Sequence, residues 1–125
     1  MFKLHHTDVY GTPSAVSIPM TADVEYEAGL PLTALGAIAT GTVKPEYICL
    51  EKAKGVAGGK VSAYRILPQY TFETVLTASG TSLKVGNKVT LATGGVGVTA
   101  TTTDGVAEIV EIRGAAKDDT VLVKF

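Results

Sequence analysis

Residues 83–112, LKVGNKVTLATGGVGVTATTTDGVAEIVEI, place turn residues between short apolar runs. Gly86-Asn87 stands between two valine-containing runs, which is a strong signal for a tight turn between strands. Asp104-Gly105 provides a second turn, and the run after it is rich in β-branched residues, as is TVLVKF at residues 120–125. Short strands at this regular spacing predict an all-β fold, either a small antiparallel β-barrel or a β-sandwich.

The glycines inside this stretch also match a nucleotide-binding pattern. Gly95, Gly97 and Ala100 have the spacing G-x-G-x-x-A, which is the phosphate-binding fingerprint of dinucleotide enzymes. Such a site needs a helix directly after the glycines, because the helix N-terminal amides and dipole hold the pyrophosphate. The next residues are VTATTTDG, and threonine is a poor helix former. We therefore predict a wide turn or strand bend here, and no cofactor.

The preceding part of the chain continues the β pattern. Short runs with β-branched or aromatic residues are EYICLEK (46–52), GKVSAYRIL (59–67) and YTFETVLT (70–77). The alanine- and leucine-rich run at 28–41 is divided too finely by proline and glycine to form a long helix. AKGVAGGK, residues 53–60, is predicted to be an exposed loop. Residues 26–125 are therefore predicted to form a single β domain.

Residues 1–25 lack clear periodicity and are predicted to form an extended N-terminal arm. Prolines and glycine interrupt the segment, yet it contains more large apolar residues than a disordered tail does. An extended segment of this kind suits a role in binding a neighbouring molecule, and its removal should leave the folded core nearly unchanged. The predicted partner-binding residues are Phe2, Leu4, His5, His6 and Tyr10.

No group of residues predicts catalysis or metal binding. Cys49 is the single cysteine, so neither an internal disulfide nor a thiolate cage can form, and we interpret it as a small apolar strand residue. Adjacent residues on an extended segment point to opposite sides, so His5 and His6 make an awkward metal pair. The glutamates are scattered and show no pairing pattern for acid–base work. We expect no enzyme, no metal and no catalytic residue.

Glu108 is the exception to a simple strand pattern. Strict alternation puts it on the same face as Val106, Val110 and Ile112. A bulge could redirect it, the opposite face could be the buried one, or the carboxylate could make a buried contact. A bulge or an edge strand is the expected explanation.

The charge pattern bears on the possible partners. The formal net charge is −1, and acidic and basic residues are interleaved along the chain. Nucleic-acid binding usually needs a basic stripe that displaces counterions, and none is visible. The first twenty residues contain no long apolar run, so neither a secretory signal nor a spanning helix is expected. Neither nucleic acid nor membrane is a predicted partner, and synthesis in a cytoplasm is expected.

Residues 44–125 resemble the small capsid decoration, or cement, proteins encoded in the head modules of tailed phages and prophages. The resemblance is carried by the order of five segments, KPEYICL, FETVLTA, LKVGNKVTL, TTTDGVAEIVEI and DDTVLVKF. It implies a β-rich structural protein on the capsid exterior of the virion, often a homotrimer, which binds the major capsid protein and clamps neighbouring subunits. The alternatives are another virion component, such as a tail or head-completion protein, or a carbohydrate-binding module.

Overall fold

The computed structural model describes residues 1–6 and 13–125. Over these residues the chain is built from short strands, and the single helical element is a 3-10 turn at Thr93–Gly95. The strands are β1 (Lys3–His6), β2 (Ala15–Pro19), β3 (Glu25–Tyr26), β4 (Pro31–Leu32), β5 (Tyr47–Cys49), β6 (Ala53–Lys54), β7 (Lys60–Arg65), β8 (Thr71–Val75), β9 (Lys88–Val89), β10 (Ala107–Ile112) and β11 (Thr120–Lys124).

The strands form three antiparallel groups. A five-stranded sheet has the order β1-β8-β11-β10-β9, a four-stranded sheet has the order β2-β7-β5-β4, and β3 pairs with β6. Every pairing between these strands is antiparallel. The predicted all-β fold is confirmed, and the two larger sheets fit the sandwich alternative.

The main core lies between the two larger sheets. On β11, Val121 and Val123 are fully buried, and Phe125, directly after the strand, packs against the same cluster. Ile48 and Tyr64 enter the same cluster from the four-stranded sheet, where they are paired across β5 and β7. Burial of these large apolar side chains supplies the main driving force for folding.

The middle of the four-stranded sheet, where β5 pairs with β7, is buried on both faces. Cys49 and Ala63 are paired neighbours of Ile48 and Tyr64, and they face a second cluster that contains Tyr26 and other apolar residues. Cys49 is 1% exposed, and its Sγ donates a hydrogen bond to the carbonyl oxygen of Glu51 at 3.2 Å. Burial raises the pKa of the Cys49 thiol. The interpretation of Cys49 as a structural strand residue is confirmed.

Glu108 points outward because the opposite face of β10 is the buried one. Its carboxylate lies 3.3 Å from the Lys124 ammonium on β11. The expected explanation, a bulge or an edge strand, is therefore wrong: β10 lies between β11 and β9, and a β-bulge is present where the register shifts by one residue between Ile109 and Glu111. The bulge follows Glu108, however, and so does not redirect it. The extra residue of the bulge is Val110, so the bulge changes the direction of that side chain.

The described parts of the N-terminal segment form strands, and the expectation that the segment adds little to the core is wrong. Strand β1 pairs with β8 at the edge of the five-stranded sheet. Phe2 is 2% exposed, and its amide donates a hydrogen bond to the Gly29 carbonyl at 2.9 Å. Strand β2, also within the predicted arm, pairs with β7 along its whole length. The described parts of residues 1–25 are therefore integral to both sheets.

The glycine stretch forms a turn followed by a close backbone crossing, which confirms the predicted turn or bend. Gly94 and Gly95 have φ angles of +76° and +70°, a region that glycine adopts without steric cost. A Cβ atom on Gly97 would lie 2.4 Å from the Val75 carbonyl oxygen, so only glycine fits there. Val98 then forms isolated β-bridges with Leu76 and Leu91.

Candidate interaction surface

The predicted partner-binding residues do not form one exposed site. Phe2 is buried, and Leu4 is half-buried against the same core, so both residues are structural. His5 is exposed on β1, and His6 ends that strand opposite Thr71. Tyr10 lies outside the described residues. Phe2 and Leu4 are therefore wrong as anchors, because the pairing of β1 with β8 turns their side chains inward.

Most of the charged groups on the outer face of the five-stranded sheet are paired. The Arg113 guanidinium lies 2.9 Å from the Glu111 carboxylate and 3.4 Å from that of Glu73. Together with the pair formed by Lys124 and Glu108, these contacts give this face a mixed, neutralised charge. Within residues 1–6 and 13–125, no cluster of three potential metal-ligating side chains occurs. The same residues contain no helix long and apolar enough to cross a membrane.

Strand β2 is an edge strand without charged residues. Its sequence is AVSIP, and β7 is its sole partner among the described strands. Edge strands are commonly protected by charged side chains, since their free backbone groups can pair with another chain. Of the β2 side chains, Ile18 is buried and Val16 is 43% exposed. The strand therefore has one side without a strand partner among the described residues, together with an exposed valine.

Two exposed apolar residues flank the end of β2. Leu35 is 76% exposed and Val56 is 58% exposed, the former being the most exposed large apolar residue described. A Cβ atom on Gly36 would lie 2.0 Å from the Pro19 carbonyl oxygen, so the turn that carries Leu35 touches β2 directly. We name Val16, Pro19, Leu35 and Val56 the β2 surface.

The turns around the β2 surface are held in place by a buried tyrosine. Tyr26 is 1% exposed, and its hydroxyl donates a hydrogen bond to the Gly36 carbonyl. The same hydroxyl accepts a hydrogen bond from the Thr21 amide at 2.8 Å, just after β2. Because Tyr26 connects both segments, Leu35 is presented on a fixed support. Preorganisation of this kind lowers the entropy lost on binding.

The β2 surface was not identified by the sequence analysis. Leu35 lies in the alanine-rich run at 28–41. The sequence of this run does not show which of its apolar residues are exposed. The pair Leu35-Gly36 is the available signal, since a glycine directly after an apolar residue in a broken run indicates a turn. Its contact with Pro19 is long-range in sequence and depends on the folded sheet.

The aromatic side chains offer no platform for sugar binding among the described residues. Tyr26, Tyr64 and Tyr70 are buried, and Tyr47 is half-buried. Tyr64, Tyr70 and Phe72 instead pack against one another in the main core, with ring centroids 6.3 to 6.5 Å apart. Aromatic contacts of this geometry add to the stability gained from burial.

Tyr64 provides a spectroscopic test of this core. Burial, with a smaller effect of nearby Tyr70, raises the pKa of Tyr64 from 10.0 to about 12. A raised pKa favours the protonated folded form, so this stabilisation is complete below pH 10 and is lost as the pH rises towards about 12. In a pH titration, the absorbance of tyrosinate should therefore show an additional rise at high pH, and this rise should be absent in the Tyr64→Phe variant. A single step near pH 10 for all tyrosines would contradict the burial of Tyr64.

Comparisons of the chain with protein-family models, with curated proteins and with solved structures find no match. The β2 surface and the sequence resemblance are therefore the grounds for proposing a function.

Proposed function

We propose that the protein is a structural virion protein that binds the outer surface of a phage capsid and stabilises it by clamping neighbouring subunits. The observation that carries the proposal is the β2 surface, an uncharged edge strand flanked by exposed apolar residues on fixed turns. Large exposed apolar side chains beside an uncharged edge strand are the kind of residue that anchors a protein partner. The resemblance of residues 44–125 to decoration proteins indicates which partner this surface serves.

Strand addition is the binding mode that fits the surface. An extended segment of the major capsid protein would pair with the free edge of β2, and main-chain hydrogen bonds would supply affinity. Leu35 and Val56 would then pack against the shell on either side of that segment. Since a shell repeats the same contact many times, modest affinity at each position is sufficient for reinforcement.

Clamping also requires that one oligomer of the protein contact more than one capsid subunit. A homotrimer, as the resemblance implies, would place three copies of the β2 surface around a threefold position. The protein would then be made in the host cytoplasm and reside on the capsid exterior. Its role in this proposal is structural, without catalysis.

Co-sedimentation with phage heads that lack the protein tests the proposal. We expect saturable, stoichiometric binding to purified heads over a range of salt concentrations. Failure of the folded protein to sediment with heads at any of these concentrations would contradict it. Binding to isolated tails and not to heads would favour the tail alternative instead.

The double substitution Leu35→Glu and Val56→Glu should weaken head binding about tenfold or more, because buried apolar anchors dominate interface energy. Both side chains are exposed, so the thermal midpoint should change little. Val85→Glu is the matched control, since Val85 is 64% exposed on the separate turn Lys84–Asn87. Equal losses for the control and the double variant would show that the β2 surface is not the contact.

A further inference from the structure

Two adjacent clefts occupy the end of the sandwich where β11 terminates. One has a volume of about 330 Å³ and is lined by residues that include Lys44, Arg65 and Phe125. The other has a volume of about 350 Å³, and its lining includes Lys44, Lys88, Lys124 and Phe125. Because Lys44 and Phe125 line both, the two clefts are neighbours, and we name them together the basic groove.

The basic groove has more cationic than anionic groups. Its cations are Lys44, Arg65, Lys88 and Lys124, and its carboxylates are Glu46 and Glu108. Cations remain in excess even when an α-carboxylate at Phe125 is counted. This local excess contrasts with the formal net charge of −1 for the whole chain.

Both carboxylates of the groove already have partners. Glu108 lies 3.3 Å from the Lys124 ammonium, and the Glu46 carboxylate accepts a hydrogen bond from the Ala34 amide at 3.0 Å. Over residues 1–6 and 13–125, no carboxylate lies within ion-pair distance of Lys44 or Lys88. As far as the described residues are concerned, these two ammonium groups are available to an incoming anion.

The sheet fixes the spacing of the groove lysines. Glu108 is paired in register with Lys88 of β9 on one side and with Lys124 of β11 on the other. Neighbouring strands lie about 4.8 Å apart, so the two lysines stand about 10 Å from each other across Glu108. Together with Lys44 and Arg65, these lysines distribute cations over both clefts, which suits several acidic side chains of one peptide better than one small anion.

We propose that the basic groove binds an acidic, extended segment of a partner protein. Peptide carboxylates fit the groove because its surplus of positive charge is small, whereas a nucleic-acid backbone carries one negative charge at every phosphate. Nucleic acid is disfavoured, since binding it needs many cations, and single strands also need exposed aromatic rings, which the described residues lack. The groove shares no residue with the β2 surface, so this inference stands independently of capsid binding.

Fluorescence anisotropy with a labelled glutamate oligomer tests the inference. We expect binding at low ionic strength that weakens as salt is added, because exposed charge pairs are screened. The double substitution Lys44→Glu and Lys88→Glu should reduce affinity about tenfold or more, and Lys44→Gln with Lys88→Gln should reduce it less. Lys117→Glu is the control, since Lys117 is exposed in the hairpin between β10 and β11, at the opposite end of the sheet.

Three results would overturn the proposal. The first is no binding of the oligomer by the unmodified protein at low salt. The second is an equal loss of affinity in the Lys117→Glu control, which would show attraction by overall charge alone. The third is tighter binding of a DNA oligonucleotide with the same number of charges, which would assign the groove to phosphate groups.

Discussion

Phe2→Ala is expected to lower the free energy of unfolding by about 3–5 kcal/mol, the usual cost of truncating a buried phenylalanine. The ring of Phe2 is 2% exposed and lies with its centroid 5.6 Å from that of Phe125. Phe125 in turn contacts Phe72 in the main core, at a centroid distance of 5.7 Å. Because typical domains are stable by only about 5–15 kcal/mol, this loss should be evident in denaturant unfolding.

Lys3→Ala is the matched control for this prediction. Lys3 is the next residue of the chain and is exposed on β1, so its truncation should change stability by about 0.5 kcal/mol or less. An unfolding midpoint for Phe2→Ala equal to that of the unmodified protein would contradict the structure. Residues 1–6 would then be a dispensable arm, as the sequence pattern suggests.

Gly97→Ala is expected to destabilise the protein by about 1–3 kcal/mol, through overpacking against backbone. The added Cβ would lie 2.4 Å from the Val75 carbonyl oxygen. Two hydrogen bonds hold this crossing together, from the Val98 amide to Val75 at 3.0 Å and from the Ala92 amide to Gly97 at 2.9 Å. Relief of the clash would therefore disturb hydrogen bonds on both sides of Gly97.

Gly86→Ala separates this steric effect from backbone strain. Gly86 has a φ angle of +94° but no atom within 4 Å of an added Cβ, so its substitution should cost about 1 kcal/mol. A cost for Gly86→Ala that exceeds the cost for Gly97→Ala would contradict the close crossing. Calorimetric binding of NAD or ATP by the unmodified protein would contradict the structural interpretation of the glycine stretch.

The strands of the second half could be predicted because their information is local. In β8, alternation places Phe72 on the buried face and Glu73 on the opposite face, whereas β11 is recognised as a short apolar run whose valines and leucine are all buried. The turn at Gly86 is likewise specified by adjacent residues, and the Asn87 amide donates to the Lys84 carbonyl at 3.0 Å. Features of this kind are determined by neighbouring residues, so they can be predicted without knowing which strands pair.

The features that could not be predicted depend on contacts distant in sequence. Nothing near Phe2 indicates that β1 pairs with β8, about seventy residues away, and an isolated strand of four residues has little periodicity to detect. The β2 surface also arises from long-range contacts, since Gly36 touches Pro19 in the folded chain. The basic groove combines residues of β7, β9 and β11 with Lys44. It forms only when the two sheets pack against each other.

Electron cryomicroscopy of phage heads with and without the protein tests the proposed function most directly. The account predicts additional density at regular lattice positions on the outer surface of the decorated heads, with β2 facing the shell. Regular density in which β2 faces away from the shell would support capsid binding. It would show, however, that the β2 surface is not the contact. Absence of additional density on heads incubated with saturating folded protein would contradict the account.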